Sequence, residues 1–535
     1  MVVCSIVTKQ VEYIDLRQLP SETWSRSRSV RIASEHNHRK KKRKSAVRRD
    51  QSLITRPPFI YFASSYINPY RRLTPIPINF HRRIPSKSNR SRQIKSGIER
   101  QRSKSPIVND DPVDLWPIDS NAFSIEIMRQ HQLAINDVSL REQITSWKID
   151  SLDQLIVSIS KLVSHRNLVT RVWTIFYWIY QHIEYDIDHD AIMQNESFDP
   201  EKIVLDRKAN AQGYATLFQT LCTRLAIECV KIFGYVKDQL YRIDQSILPP
   251  SNHYWNAVEL DSKHWYLIDP TWASGHLNEK QQYIKETRLF YFLSRPECFI
   301  YDHFPNDSQW QLLTKPISQS QFMHLPHLNA SYFTHQLTMI SPKFSCITSF
   351  DKRKSQVEIL VQAPDDIRLA ASIDHHDSSS CLTQYDATRH LWQCLFSPNQ
   401  SGFQKLSIFV KRPLASNMFI KAIDLGTKIS SLDIQNNKQY PCTYGSFLDH
   451  RCQIISPLGG ILTSGSQVIF NCRIPDARFV RLIVDDQWSE DIPLIDRVFK
   501  KKMKVPKNHI IIAARFHDSN VNDAYESLIR YSVAN

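Results

Sequence analysis

The chain changes character near Val108, and that boundary limits where a core can form. Residues 21–107 hold 23 Lys and Arg against 4 Asp and Glu, a net +19. Such a segment, with little apolar periodicity, cannot bury enough surface to offset its chain entropy. Residues 1–107 are therefore expected to be a basic, largely disordered tail. The first 20 residues are balanced and the whole chain is +15, so taking away +19 leaves −4 for residues 108–535. The densest cationic run is Arg39-Lys40-Lys41-Lys42-Arg43-Lys44. Three readings stand side by side for it: a nuclear import address, a grip on an acidic partner, or a solvated stretch with no dedicated partner. Pro58-Phe59-Ile60-Tyr61-Phe62 is the one apolar interruption, long enough only for local docking.

Several classes are set aside early. No apolar run reaches the length of about 18 residues needed to cross a bilayer. The stretch Met1 to Pro20 contains Glu12 and Asp15 and lacks an apolar region after a basic one, so no secretory signal is expected. The 10 cysteines show no paired spacing. They are expected to be reduced thiols, with no metal site, no disulfide framework and no cofactor.

From Val108 onward the pattern is that of folded domains, too long for one core. Val172, Phe176, Ile179 and Ile183 recur on one face of a helix that closes at Glu184-Tyr185-Asp186. A second helix is expected from Tyr214 to about Leu225, with Leu217, Leu221 and Leu225 spaced by four. Strands follow at Cys229–Tyr235, Trp255–Leu260 and Trp265–Asp269, the last two joined through Asp261-Ser262-Lys263 as a hairpin. That hairpin brings His253 and Asp269 to neighbouring strands, within reach of a hydrogen bond. Trp255, Trp265 and Trp272 are expected in the core. His264 is expected to be exposed in the turn. Asp186, Asp188 and Asp190 alternate, but without a calcium-loop glycine or terminal Glu they read as an ordinary acidic loop.

Residues from about 316 are mostly β, and they repeat. Tyr332-Phe333 and Leu337-Thr338-Met339-Ile340-Ser341-Pro342 echo Tyr444-Gly445-Ser446-Phe447 and Cys452-Gln453-Ile454-Ile455-Ser456-Pro457. Val357–Val361 matches Val468–Cys472, and each is followed by a Pro-Asp pair, Pro364-Asp365 and Pro475-Asp476. Two modules of about 100 residues fit immunoglobulin-like sandwiches.

Four segments carry a resemblance. They are Asn210-Ala211-Gln212-Gly213-Tyr214, His253-Tyr254-Trp255-Asn256-Ala257-Val258, Trp265-Tyr266-Leu267-Ile268-Asp269-Pro270-Thr271-Trp272, and Tyr291–Glu297 with His303-Phe304-Pro305-Asn306-Asp307. Together they resemble the kyphoscoliosis peptidase and hillarin group of transglutaminase-like proteins. The resemblance covers roughly residues 110–535. It implies an α+β, papain-like core over 108–315 followed by immunoglobulin-like sandwiches over 316–435 and 436–535. It also implies cytoplasmic, cytoskeleton-associated work with protein partners. Carried over by position, Ala211 stands where the cysteine nucleophile is expected, His253 at the general base and Asp269 at the carboxylate that orients it.

The departure at Ala211 decides the functional expectation. A thiol becomes a nucleophile when a helix N-terminus and an imidazole lower its pKa, and the imidazole needs a carboxylate to fix its tautomer. Here the imidazole and carboxylate are present and the sulfur is a methyl group. Cys222 lies eleven residues further on, roughly 16 Å along the helix, too far to substitute. Cys229 falls in an apolar strand, and Asn210 is a poor nucleophile. The expectation is a catalytically inactive scaffold with His253 and Asp269 vestigial. The alternative is an active cysteine peptidase or cross-linking enzyme of the same group.

Overall fold

A computed structural model gives the fold, and it describes residues 13–14, 112–187, 198–245, 247–260, 263–277, 282–374, 376–416, 418–430, 438–516 and 524–534. Nearly all of the basic tail, including Arg39–Lys44 and Pro58–Phe62, lies outside the described residues. So do Asp188, Asp190 and the turn residues Asp261 and Ser262.

The first domain is built around two buried helices and a sheet. α1 (Ile125–Asn136), α2 (Val138–Thr145) and α3 (Leu152–Val163) pack around α4 (Leu168–His182). Asn167 starts α4 by accepting the amide of Thr170 at 2.9 Å. The predicted stripe of α4, Val172, Phe176 and Ile179, is buried, and Ile183 is buried at its C-cap. After α5 (Pro200–Asp206) comes α6 (Ala211–Arg224), which lies against a sheet ordered β3-β2-β1-β4. These strands are β1 (Cys229–Val236), β2 (His253–Leu260), β3 (His264–Ile268) and β4 (His303–Pro305). Their pairing is antiparallel throughout, with Gly234 opposite both His253 and Pro305.

The first sandwich follows. One sheet runs β13-β12-β9, and β13 also takes Tyr13–Ile14, from the expected tail, and β5 antiparallel, and β7 in parallel. The other runs β6-β8-β11-β10. In chain order these are β5 (His327–Leu328), β6 (Thr338–Ser341), β7 (Ile347–Thr348), β8 (Val357–Gln362), β9 (Arg368–Ile373), β10 (Cys381–Asp386), β11 (Leu391–Phe396), β12 (Gly402–Lys411) and β13 (Phe419–Ile429). Val357, Ile359 and Val361 of β8 are buried while Glu358 and Leu360 between them are less so, the alternation of a strand with one face on a core.

The second sandwich repeats this plan. Its strands are β14 (Cys442–Thr443), β15 (Gln453–Ser456), β16 (Ile461–Thr463), β17 (Gln467–Arg473), β18 (Phe479–Val484), β19 (Gln487–Trp488), β20 (Ile492–Pro493), β21 (Val498–Lys504), β22 (His509–Arg515) and β23 (Glu526–Ala534). One sheet runs β14-β23-β22-β18-β19 with β16 parallel to β23, and the other runs β15-β17-β21. The repeated Ser-Pro positions, Ser341-Pro342 and Ser456-Pro457, are both cis.

The segments are joined by more than linkers. His327 and Leu328, just past the first domain, pair with Asp424 and Ile423 of β13. Lys237, on the other side of that junction, is buried and donates to the Leu325 carbonyl at 2.9 Å with its ammonium over the Phe322 ring. Buried Asp424 accepts from Ser407 at 2.6 Å and faces Lys405 at 3.3 Å and Lys421 at 3.8 Å. Between the sandwiches, Arg451 pairs with Asp365 at 2.7 Å, bonds the Asp365 carbonyl and covers the Tyr385 ring. A continuous apolar core runs from Leu328 through Trp392 to Phe470 and Tyr531.

Candidate functional site

The site is assembled at the start of α6 and at one end of the sheet. Asn210 is extended and caps α6 by accepting the Gly213 amide at 3.0 Å. The helix therefore opens at Ala211, earlier than the expected start at Tyr214, because the apolar spacing marks where the helix packs and the cap marks where it begins. Gly213 is required by close approach: a Cβ there would stand 2.9 Å from Ala209 Cβ and 3.3 Å from Ile203 Cδ1. Ala211 is the first helical residue and is 7% exposed. The same helix is tied to β2, the strand of His253, by Asn256 donating to the Ala215 carbonyl at 3.0 Å.

His253 opens β2 and is buried. Its Nε2 lies 2.7 Å from Asp269 Oδ2. Asp269 follows β3, is fully buried and caps α7 (Pro270–Ser274), its Oδ1 accepting from the amides of Thr271 at 2.9 Å and Trp272 at 3.0 Å. This bond is the one the hairpin spacing predicts.

Two further residues complete the cluster. His303, on β4, brings its Nε2 to 3.0 Å from the same Asp269 Oδ2. Its Nδ1 lies 2.6 Å from Asp302 Oδ1, and Tyr291 donates to Asp302 Oδ2 at 3.1 Å. The result is a buried chain, Asp302–His303–Asp269–His253, in which carboxylates and imidazoles alternate. Phe299 stacks on His303 at 3.8 Å between centroids, Trp272 lies edge-on at 4.8 Å and Trp255 at 5.1 Å.

The protons follow from the electrostatics. Burial pushes the Asp269 carboxyl up, but His253 and His303 outweigh it and hold it well below the usual carboxylate range. Burial pulls His303 down, but Asp302 and Asp269 prevail and raise it above the ordinary imidazole value. His303, when protonated, donates through both nitrogens. Asp269, as an ionised carboxylate, only accepts. His253 must therefore carry its hydrogen on Nε2, which leaves Nδ1 as the nitrogen able to take a proton. That is the tautomer a cysteine-activating base needs.

His253, Asp269 and His303 hold ligand-type atoms within 4.8 Å of one another. The arrangement suits hydrogen bonding rather than coordination. Both imidazoles converge on a single oxygen, and each nitrogen of His303 is committed to a carboxylate. The shallow pocket beside His303, lined by Trp255, Leu267, Phe299, Ile300, Trp310 and Gln311, has no room for a water molecule.

Several residues change standing. His264 is not an exposed turn residue. It begins β3, is partly buried, and its Nε2 pairs with Asp119 at 2.8 Å, because Asp119 is delivered from a distant segment that hairpin spacing cannot reveal. Cys222 is buried, its thiol pushed up by burial. Cys229 is partly buried and packs against the core. Trp255 is fully buried, whereas Trp265 and Trp272 are partly buried and pack against the core. Asp302 and His303 were not picked out as site residues by sequence reasoning. The available signal was an Asp-His pair following the apolar run Phe299-Ile300-Tyr301.

Comparison with known proteins agrees with this architecture. Residues 159–270 match the Transglutaminase-like superfamily, and residues 319–429 match the KY-like, immunoglobulin-like domain. The chain is 36% identical over 256 residues to "Kyphoscoliosis peptidase" of Mus musculus, covering 47% of this chain and 37% of that one. It is 25% identical over 241 residues to "Hillarin" of Drosophila melanogaster, covering 42% of this chain and 28% of that one. It is 29% identical over 217 residues to "cytokinesis protein 3" of Schizosaccharomyces pombe, covering 37% and 23%. The matches thus span well under half the length of these relatives. The α+β core is similar to the Transglutaminase-like superfamily and the sandwich that follows to the KY-like, immunoglobulin-like domain, which supports the resemblance to the kyphoscoliosis peptidase group.

Proposed function

We propose that this protein is a non-catalytic, cytoskeleton-associated interaction scaffold, in which Ala211 occupies the nucleophile position of a cysteine-enzyme cleft. The carrying observation is the buried Asp302–His303–Asp269–His253 network, kept in a protein whose α6 opens on a methyl group at Ala211. A triad acts as a unit, and loss of its nucleophile removes nearly all chemistry. The remaining members still fasten β2, β3, β4 and α7 to one another, a reason to keep them. Relatives whose names refer to cytokinesis support a cytoskeletal protein partner and a cytoplasmic setting. The division of the chain at 107/108, 315/316 and 435/436 is part of the same proposal.

The test is a thiol-directed activity probe on the purified chain. No cysteine should label in a His253-dependent way. If one cysteine labels and His253→Ala abolishes that labelling, the chain is an active cysteine peptidase or cross-linker and the scaffold reading fails. The retained His253–Asp269 bond at 2.7 Å is the observation that favours this second reading. A nuclear role for Arg39–Lys44 is separated by deleting residues 1–107, since unchanged localisation removes it.

A further inference from the structure

The two sandwiches share one plan; apart from Tyr13–Ile14, which pairs with β13 of the first, they differ in where the strand after β9 and β18 goes. In the first, β10 closes its sheet by pairing along its whole length with β11, from Cys381 opposite Phe396 to Asp386 opposite Leu391. The far side of β10 then meets the second sandwich. Tyr385 donates its amide to the Cys452 carbonyl at 3.4 Å, and Gln384 accepts the Ile454 amide at 2.9 Å. In the second sandwich the corresponding segment goes elsewhere. β19 and β20 both pair with β18, on the opposite sheet. β21, the counterpart of β11, is left as the outer strand of β15-β17-β21.

That open strand is the most cationic one described. It reads Val498-Phe499-Lys500-Lys501-Lys502-Met503-Lys504. Phe499 is fully buried and anchors the strand, whereas Lys500, Lys501, Lys502 and Lys504 are exposed. Lys500, Lys502 and Lys504 alternate and so share a face, with Asn471, Ile469 and Gln467 of β17 opposite them. Ile469 is 46% exposed there. Among the described residues no carboxylate forms an ion pair with any of the four lysines. Residues 108–535 together are slightly acidic, so this charge is a local feature.

We propose that β21 is a docking edge for an extended, acidic segment of a protein partner, which adds as the strand that the first sandwich supplies from its own chain as β10. Val498 already bonds Ile495 through its amide and carbonyl, so backbone groups on the free side of β21 beyond it provide the ladder, and Asp or Glu at alternate positions meets Lys500, Lys502 and Lys504. Lysines along an edge also keep copies of the same edge apart. Here that repulsion supplies specificity, because it rejects a second β21 while attracting a strand of opposite charge. An anionic membrane is less well matched, since these charges follow one strand edge rather than a broad flat face. The inference does not depend on the state of the Ala211 cleft and would hold for an active enzyme as well.

The test uses the full chain and a fluorescent seven-residue peptide alternating Glu and Val, the length of β21. Binding is followed by anisotropy at low salt, and backbone protection by hydrogen exchange. The peptide should bind and protect amides of residues 498–504. The combined variant Lys500→Glu, Lys502→Glu, Lys504→Glu should weaken binding at least about tenfold. The corresponding Lys→Gln variant should fall between the two. The basic N-terminal segment is common to all three chains and cancels in the comparison. Equal binding to the Glu variant, or binding without protection of 498–504, overturns the proposal. So does tighter, charge-variant-sensitive binding to phosphatidylserine vesicles or a DNA oligonucleotide than to the peptide.

Discussion

One oxygen of Asp269 serves two imidazoles, and the stability of the site depends on which protons are present. Asp269 is held below its ordinary pKa, so its contribution is present above about pH 4 and is lost as pH falls through its folded value. His303 is held above its ordinary pKa, so its contribution is complete below about pH 6.5 and is lost as pH rises through its folded value. The network is therefore strongest in mildly acidic solution. The difference in urea midpoint between the unmutated chain and His303→Gln should shrink as pH rises from about 6.5 upward, a comparison in which the other histidines cancel. A difference that does not change with pH would contradict the raised pKa of His303. A second expectation concerns Ala211. In Ala211→Cys the new thiol sits at a helix N-terminus, and on the proposed role of His253 as its base the thiol pKa, read from the pH dependence of alkylation, should fall below the ordinary value of about 8.5. Adding His253→Ala should move it back up.

At the scale of elements, the His253–Asp269–His303 cluster depends on strands touching without side chains between them. Gly234 pairs with His253 on one side and Pro305 on the other, and a Cβ there would come within 2.3 Å of the Phe304 carbonyl oxygen and 2.4 Å of Trp255 Cη2. Gly234→Ala should destabilise the first domain by about 1–3 kcal/mol in denaturant titration and displace His303 from Asp269. Of this arrangement the sequence shows the local half. The His253 and Asp269 strands are joined by a short connection, so their meeting follows from spacing. The helix under Ala211 is visible from its leucines, though its first turn is set by Asn210, a cap that periodicity does not register. β4 was not legible. It reaches β1 from far along the chain, is only three residues long, and brings Asp302 and His303 with it. His264 is missed for the same reason, its partner Asp119 coming from well upstream.

At the scale of the whole molecule, the two sandwiches behave as one body because their cores are continuous and Arg451 bridges them. Scanning calorimetry should show them melting in a single transition. Arg451→Ala removes the bonds to Pro364 and Asp365 and the cover on Tyr385, and should lower their stability by about 1–3 kcal/mol. Two separate transitions in the unmutated chain would refute the shared core. The order of strands at each entrance has a mechanical meaning as well. In the first sandwich the chain pairs antiparallel to β13 through β5, then parallel to it through β7. In the second it pairs antiparallel to β23 through β14, then parallel to it through β16. Under tension between the two ends of a sandwich, an antiparallel pair peels open one rung at a time. A parallel pair is loaded in shear, so Leu462 beside Val533 and its neighbouring rungs must yield together. Each sandwich thus has a weak latch in front of a strong one, and a chain pulled from its ends would give a little, then hold.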